Sequence, residues 1–114
     1  ISIAPFDKRL ALAPAAGAQL TRFFKEVINN IIKHSKASRV NIQMEHSRDI
    51  FILKMEDNGC GFDIKVAHQG NGINNLIQRA AAAKGKVAIQ STPGAGTLII
   101  LRLPLERKRK RLFF

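Results

Sequence analysis

A carboxylate followed by two glycines is the part of the sequence best suited to chemistry: residues 57–61 read Asp-Asn-Gly-Cys-Gly. The preceding apolar residues alternate as Phe51, Leu53 and Met55, and Asp57 continues their parity. Because successive strand side chains point to opposite faces, Asp57 is expected on the buried side. A buried carboxylate needs hydrogen-bond donors, and Gly59 and Gly61 let a flat ligand approach the backbone. The stretch therefore predicts the floor of a binding pocket.

A row of polar residues lies four positions apart upstream: Glu26, Asn30 and His34, with Lys33 beside the last of them. On a helix these residues line one edge. An acid, an amide oxygen and a base or cation suit proton transfer, metal ligation and phosphate contact. On spacing alone, an ordinary solvated helix face is the more common explanation. His34 has no Cys/His set that would predict a metal site.

Two further positions have a chemical and a structural interpretation. Gly70 and Gly72 precede a predicted helix whose free N–H groups suit a phosphate, although helices also start with glycine for steric reasons. Thr97 opens the last strand on the side of Ile99, so it is expected to point inward. Its hydroxyl suits a hydrogen-bond network with Asp57 through a ligand or water, or a bond within its own loop.

The elements that position these residues follow from periodicity. A helix is predicted over 16–35, with one apolar stripe formed by Leu20, Phe23, Phe24, Val27, Ile28, Ile31 and Ile32. A second is predicted over 73–83, with Ile73, Leu76, Ile77 and Ala80 inside and Gly85 at its end. A hairpin over 39–57 turns at 47–49, a short lid covers 62–69, and strands follow at 87–91 and 97–103. The prediction is an α+β two-layer sandwich, with a mixed, mostly antiparallel sheet of about five strands and helices on one face.

Composition narrows the class of protein. The 114 residues, 46% of them hydrophobic, fit one domain, and no apolar run approaches the ~18 residues of a membrane span. A single cysteine, Cys60, excludes an internal disulfide and fits a reducing compartment. The chain begins with Ile1, so we expect a fragment of a longer protein. Residues 107–111 supply five of the 19 cations, which leaves +6 of the net +11 elsewhere and indicates a basic tail.

Four blocks together resemble, in order and spacing, the ATP-binding domain shared by gyrase, histidine kinases and MutL, the Bergerat fold. Residues 26–34 resemble its N box, 57–61 its G1 box, 70–73 its G2 box and 94–97 its last glycine box. The runs His-Ser-Lys-Ala-Ser at 34–38 and Gly-Ile-Asn-Asn-Leu-Ile-Gln-Arg-Ala at 72–80 are most similar to sensor histidine kinases of the short-lid nitrate-sensor type. The expected organisation is a lead-in at 1–15, with a short edge strand at 1–4, the ATP-binding domain at 16–105 and the tail at 106–114.

The resemblance implies a role for each matching residue. Asp57 would accept a hydrogen bond from the adenine amine, with Thr97 in the same network. Asn30 would ligate Mg²⁺, and His34 or Lys33 would meet phosphate charge. Glu26 would hold or activate the attacking group. The other residues expected at the ATP site are Gly59, Gly61, Gly70, Gly72 and Ile73.

The resemblance also implies partners. These are a histidine-bearing dimerisation domain outside this chain and a response regulator, in a homodimeric parent; the domain is expected in the cytoplasm, with anchorage of the parent in the inner membrane left open. No separate phenylalanine box lies between the G1 and G2 boxes, and Lys65 and His68 are candidates for γ-phosphate contacts by position only. His34, His46 and His68 fall inside the domain, so it is not expected to autophosphorylate alone.

Two alternatives remain from the sequence. One is a serine kinase of the anti-sigma type, which has the same fold and needs no phosphoacceptor hairpin. The other is a non-enzymatic basic module that binds nucleic acid through residues 107–111. The aromatic residues are all Phe and make up 6% of the chain, which gives no stacking platform for bases, so no specific nucleic acid is expected.

Overall fold

Within the described residues, 2–3, 10–12, 14–63 and 71–107, a computed structural model shows one six-stranded sheet and two α-helices. The strands are β1 (Ser2–Ile3), β2 (Leu10–Leu12), β3 (Val40–Ser47), β4 (Ile50–Asp57), β5 (Lys86–Ser91) and β6 (Thr97–Arg107). The helices are α1 (Pro14–Asn30), which a π-helical turn extends over Ile31–Ser35, and α2 (Asn71–Ala82).

The central strands set the register of the whole sheet. The order is β1-β3-β4-β6-β2, and β5 also pairs with β6. Strand β4 runs antiparallel to both neighbours, with Asp57 opposite Val40 of β3 and Thr97 of β6. Strand β5 places Ser91 opposite Thr97 as well. The ends of three strands therefore meet at Asp57 and Thr97.

Alternation along β4 buries one face under the helices. Phe51, Leu53 and Met55 are buried, as are Leu101 and Leu103 of β6, and they pack with Phe23 and Val27 of α1. Asp57 is only 6% exposed, which confirms the prediction from parity that this carboxylate points inward. Strand alternation thus explains why a buried carboxylate follows the apolar core residues on the same face of β4.

The predicted sandwich is confirmed, with differences at the sheet edges. The part of the lead-in expected to be irregular contains β2, whose Leu12 pairs with Leu105, and β6 continues to Arg107. Strand β2 has only three residues, too few to show the period of a strand. It pairs with the end of β6, so this contact joins the beginning and the end of the domain. Ser2 and Ile3 form the expected edge strand, parallel to β3.

Two apolar residues assigned to the inner helix faces are exposed. Ile32 is 76% exposed and Ile77 is 41% exposed. Ile32 lies in the π-helical turn, where the rotation per residue is smaller than in an α-helix, so the stripe predicted from α-helical spacing does not hold there. Ile77 is next to, but not on, the line of Ile73, Leu76 and Ala80, which are buried.

Helix α2 ends by a different route from the one expected. Lys84, not Gly85, adopts the left-handed conformation, with φ +59°. The N–H of Gly85 donates to the Ala80 carbonyl at 2.7 Å and that of Lys84 to the Ala81 carbonyl at 2.9 Å, which is a Schellman motif. Gly85 is needed for space, since a Cβ there would collide with the Arg102 carbonyl oxygen. In the described part of the chain, no helix has the length and apolarity of a membrane span.

Candidate functional site

A cleft of about 330 Å³ lies between α1, α2 and the sheet. This volume is at the lower end of the range for small-molecule sites. Apolar side chains form its walls: Val27, Ile31, Leu76, Ile89 and Ile99. Asp57 and Thr97 border it on the sheet, which we call the Asp57 end, and Asn30 and His34 border it on α1, which we call the Asn30 end. An apolar cleft with polar groups from the sheet and from α1 suits a ligand with a flat apolar part and a charged part.

The Asp57 end is held by hydrogen bonds between neighbouring strands and their loops. Asp57 Oδ1 accepts the N–H of Gly59 at 2.8 Å. The hydroxyl of Thr97, a residue only 8% exposed, lies 2.8 Å from Ser91 Oγ. Thr97 therefore points inward as predicted, and its partner is a side chain of the adjacent strand, not its own loop. A carboxylate has about four acceptor positions, so Asp57 retains capacity for donors in the cleft.

At the Asn30 end, the predicted polar row is only partly in the cleft. Asn30 and His34 border it, whereas Glu26 and Lys33 do not. Glu26 is half-buried one turn before Asn30 on the same helix edge, and Lys33 is exposed. Because the chain makes a π-helical turn from Ile31 to Ser35, the end of α1 departs from regular α-helix here, as is common at functional sites.

The loop after β4 is fastened to the end of α1. Cys60 donates its backbone N–H to the Ser35 carbonyl at 2.6 Å and its Sγ–H to the His34 carbonyl at 3.1 Å. Asn58 accepts the N–H groups of Ser38 and Arg39 on its side-chain oxygen, at 3.0 and 2.9 Å. These bonds fix the position of Asp57 relative to Asn30.

The two glycines of this loop are required for different reasons. A Cβ on Gly59 would collide with the Ser35 carbonyl oxygen and lie 2.6 Å from Ser35 Oγ, so Gly59 is what lets the loop reach α1. Gly61 has φ +63°, where a Cβ would collide with the Thr92 carbonyl oxygen, and it borders the cleft. Gly59 itself does not border the cleft, so its contribution is to packing.

The start of α2 closes the cleft beside Asn30. Gly72 and Ile73 both border the cleft, and a Cβ built on Gly72 would lie 4.0 Å from Asn30 Nδ2. Phe62 borders it from the end of the loop after β4. Gly70, Lys65 and His68 lie outside the described residues, as does most of the predicted lid.

Several residues at the site were not predicted from the sequence as parts of it. Phe62 and Ser35 border the cleft, Asn58 ties the loop to the chain after α1, and Ser91 bonds to Thr97. For Ser91 a signal existed, because it shares the parity of Val87 and Ile89 and should point inward with them. The other three depend on contacts between distant parts of the chain, which no local pattern shows.

Comparison with known proteins agrees with this architecture. DegS of Bacillus subtilis (strain 168), a signal transduction histidine-protein kinase/phosphatase, is 34% identical over 103 residues, which cover 87% of this chain and 26% of DegS. The ATP binding domain of PrrB from Mycobacterium tuberculosis has a TM-score of 0.64 at 27% identity, over 76% of this chain and 67% of that one. The histidine kinase domain of a blue-light activated kinase from Erythrobacter litoralis EL346 has a TM-score of 0.68 at 19% identity, over 79% and 45%.

Fold and cleft define an α+β ligand-binding domain of the Bergerat type, as the sequence predicted. Residues 15–107 match the histidine kinase-, DNA gyrase B- and HSP90-like ATPases, and the chain belongs to that family. ATP is the nucleotide of the family, and two of the proteins named above, DegS and the blue-light activated kinase, are histidine kinases. The chain spans about a quarter of the length of DegS.

Replacement of Gly59 by alanine tests the fastening of the loop to α1. Gly59→Ala is expected to lower the free energy of unfolding by about 1–3 kcal/mol, because its Cβ overlaps Ser35 and the loop must shift. Chemical denaturation measures the change. Gly17→Ala is the control: a Cβ there meets nothing within 4 Å, and alanine in α1 should stabilise by about 0.5–1 kcal/mol. Equal stability of Gly59→Ala and wild type would disprove the close contact.

Proposed function

We propose that this chain is the ATP-binding catalytic domain of a two-component sensor histidine kinase. In this proposal it transfers the γ-phosphoryl group of Mg-ATP to a histidine on a dimerisation domain outside the chain. The observation that carries the proposal is one cleft that is bordered by the buried Asp57 carboxylate, by an amide and an imidazole of α1, and by apolar side chains. Membership of the ATPase family and the similarity to DegS support it.

The Asp57 end suits the adenine ring. An exocyclic amine is a hydrogen-bond donor, and the Asp57 carboxylate is a buried acceptor oriented by the Gly59 N–H. A ligand amine compensates the desolvated charge, which is costly without donors. Ile89 and Ile99 supply apolar surface for the faces of the base.

The Asn30 end suits the phosphates and a magnesium ion. Mg²⁺ takes one or two protein oxygens and keeps waters and phosphate oxygens, so the Asn30 amide oxygen fits as its protein ligand. Among the described residues no three His, Cys, Asp or Glu side chains cluster, which also fits an ion held mainly by phosphate. When bound, the ion neutralises phosphate charge. His34 adds a positive or hydrogen-bonding group, and Gly72 and Ile73 bring backbone N–H groups at the start of α2. Lys33, beside His34 in the sequence, and Gly70, which lies outside the described residues, are proposed for the phosphates by the resemblance alone.

The reaction requires positioning more than covalent participation by this domain. The bond between the γ-phosphorus and the bridging oxygen breaks, ADP leaves with the electron pair, and a nitrogen of the acceptor imidazole forms the new bond to phosphorus. Glu26, half-buried one turn before Asn30 on the same helix edge, accepts the hydrogen bond from the other imidazole N–H and so orients the acceptor. In the proposal the parent is a homodimer that passes the phosphoryl group to a response regulator, with this domain in the cytoplasm.

Replacing the buried carboxylate tests the adenine assignment. Asp57→Asn is expected to weaken ATP binding by about 10-fold or more, since hydrogen bonds to charged groups contribute about 1.5–3 kcal/mol. Calorimetric titration with ATP and Mg²⁺ measures the loss. Asp49→Asn is the matched control, because Asp49 is an exposed carboxylate in the β3–β4 turn. Unchanged affinity in Asp57→Asn would remove Asp57 from the adenine role.

The magnesium assignment requires a separate test. Asn30→Ala is expected to abolish the increase in ATP affinity that Mg²⁺ produces, while affinity without the metal changes less than about 3-fold, because only the metal loses a ligand. Titrations with ATP in the presence and in the absence of Mg²⁺ measure these two affinities separately. Asn29→Ala, an exposed neighbour on α1, is the control. Normal metal dependence in Asn30→Ala would exclude Asn30 as the ligand.

A further inference from the structure

One hydroxyl joins three parts of the Asp57 end. Ser91 Oγ, at the end of β5, accepts the N–H of Phe62 at 2.9 Å. It donates to the Gly96 carbonyl at 3.0 Å and lies 2.8 Å from Thr97 Oγ1. Ser91 is not among the residues that border the cleft, whereas Phe62 and Thr97 are. Ser91 borders a second cavity, with Asp57 and Thr97, but within the first cleft we expect any effect of Ser91 on a ligand to pass through Phe62 and Thr97.

The number of protons available at Ser91 favours one direction for its hydrogen bond to Thr97. A hydroxyl has one proton and two acceptor positions, and Phe62 uses one of the acceptor positions. If the Ser91 proton goes to the Gly96 carbonyl, the short contact with Thr97 is a hydrogen bond only when Thr97 donates. This arrangement satisfies all three contacts. If Ser91 donates to Thr97 instead, it has no proton left for the Gly96 carbonyl, and the hydrogen bond between Ser91 and Gly96 is lost.

The direction of this bond determines what Thr97 offers to a ligand. A threonine whose proton is held by Ser91 presents only acceptor positions to the cleft. The Asp57 carboxylate, opposite Thr97 in the β4–β6 register, is also an acceptor. The Asp57 end then offers acceptors on two neighbouring side chains, and the exocyclic amine of adenine carries two N–H groups that suit them.

We infer that Ser91 is a positioning residue that makes Thr97 a hydrogen-bond acceptor and thereby sets the selectivity of the Asp57 end for a base with an exocyclic amine. The inference rests on the proposed function, because it concerns the same nucleotide. Ser91 could instead simply hold the loop at Phe62. That role is different, because a change in loop packing would alter the affinity for every nucleotide equally. Selectivity between two nucleotides that differ only in the amine separates the two roles.

The test compares binding of ADP with that of purine riboside 5′-diphosphate, in which hydrogen replaces the 6-amino group. Wild type should prefer ADP. Ser91→Ala should reduce the ratio of the two affinities by roughly 3- to 10-fold, as expected for one hydrogen bond. Ser91→Thr should keep the ratio near that of wild type, and Ser91→Val, of similar shape without the hydroxyl, should reduce it as Ser91→Ala does.

Thr97→Val supplies the second arm of the test. It should lower the same ratio, and adding Ser91→Ala to it should lower the ratio no further, because Ser91 acts through Thr97. Additive losses, an unchanged ratio in Ser91→Ala and Ser91→Val, or equal weakening of both nucleotides would each overturn the inference. If wild type bound neither nucleotide, the proposed function would fail and the inference with it. If Ser91→Ala is misfolded, its unfolding curve will show this. The comparison of Ser91→Thr with Ser91→Val then tests the inference.

Discussion

The site depends on the close contact between the loop after β4 and the last turn of α1. Gly59 has no side chain to separate them, and the Cys60 N–H reaches the Ser35 carbonyl at 2.6 Å. Asp57 precedes this contact by two residues and Asn30 precedes Ser35 by about one turn. One fastening therefore fixes the distance between the two polar ends of the cleft. A bulkier residue at the contact would move both ends apart, although neither end would itself be altered.

Burial of Asp57 explains why the cleft is ready for a ligand. Within a protein an ionised carboxylate is stable only with donors around it, and the Gly59 N–H supplies one. The remaining acceptor capacity is directed by the sheet register, which places Thr97 beside Asp57 and Ser91 beside Thr97. In the proposed arrangement the two hydroxyls do not donate to Asp57; with it they form an acceptor surface for a ligand amine. Burial and the proposed recognition of the ligand then involve the same carboxylate.

The sequence predicted the elements well because their signals are local. Strand parity placed Asp57 and Thr97 on the buried side, and helical spacing brought Asn30 and His34 to one helix edge, where both border the cleft. Local signals failed where position depends on distant contacts: β2 pairs with the far end of β6, and Ile32 passes beyond the buried stripe. The hydrogen bonds of Ser91 were predicted only in part. Strand parity shows that the Ser91 side chain points inward, but it does not show which of its neighbours donates a proton to it and which accepts one. The resemblance to a known family, carried by four short blocks, supplied the ligand that parity and spacing left open.

In the proposed orientation the nucleotide has its base at Asp57 and Thr97 and its phosphates at Asn30. A crystal structure of the domain with ADP and Mg²⁺ tests this orientation. We expect the adenine amine within hydrogen-bond distance of the Asp57 carboxylate and the metal on the Asn30 side-chain oxygen. A nucleotide bound in the reverse orientation, or outside the cleft, would contradict it.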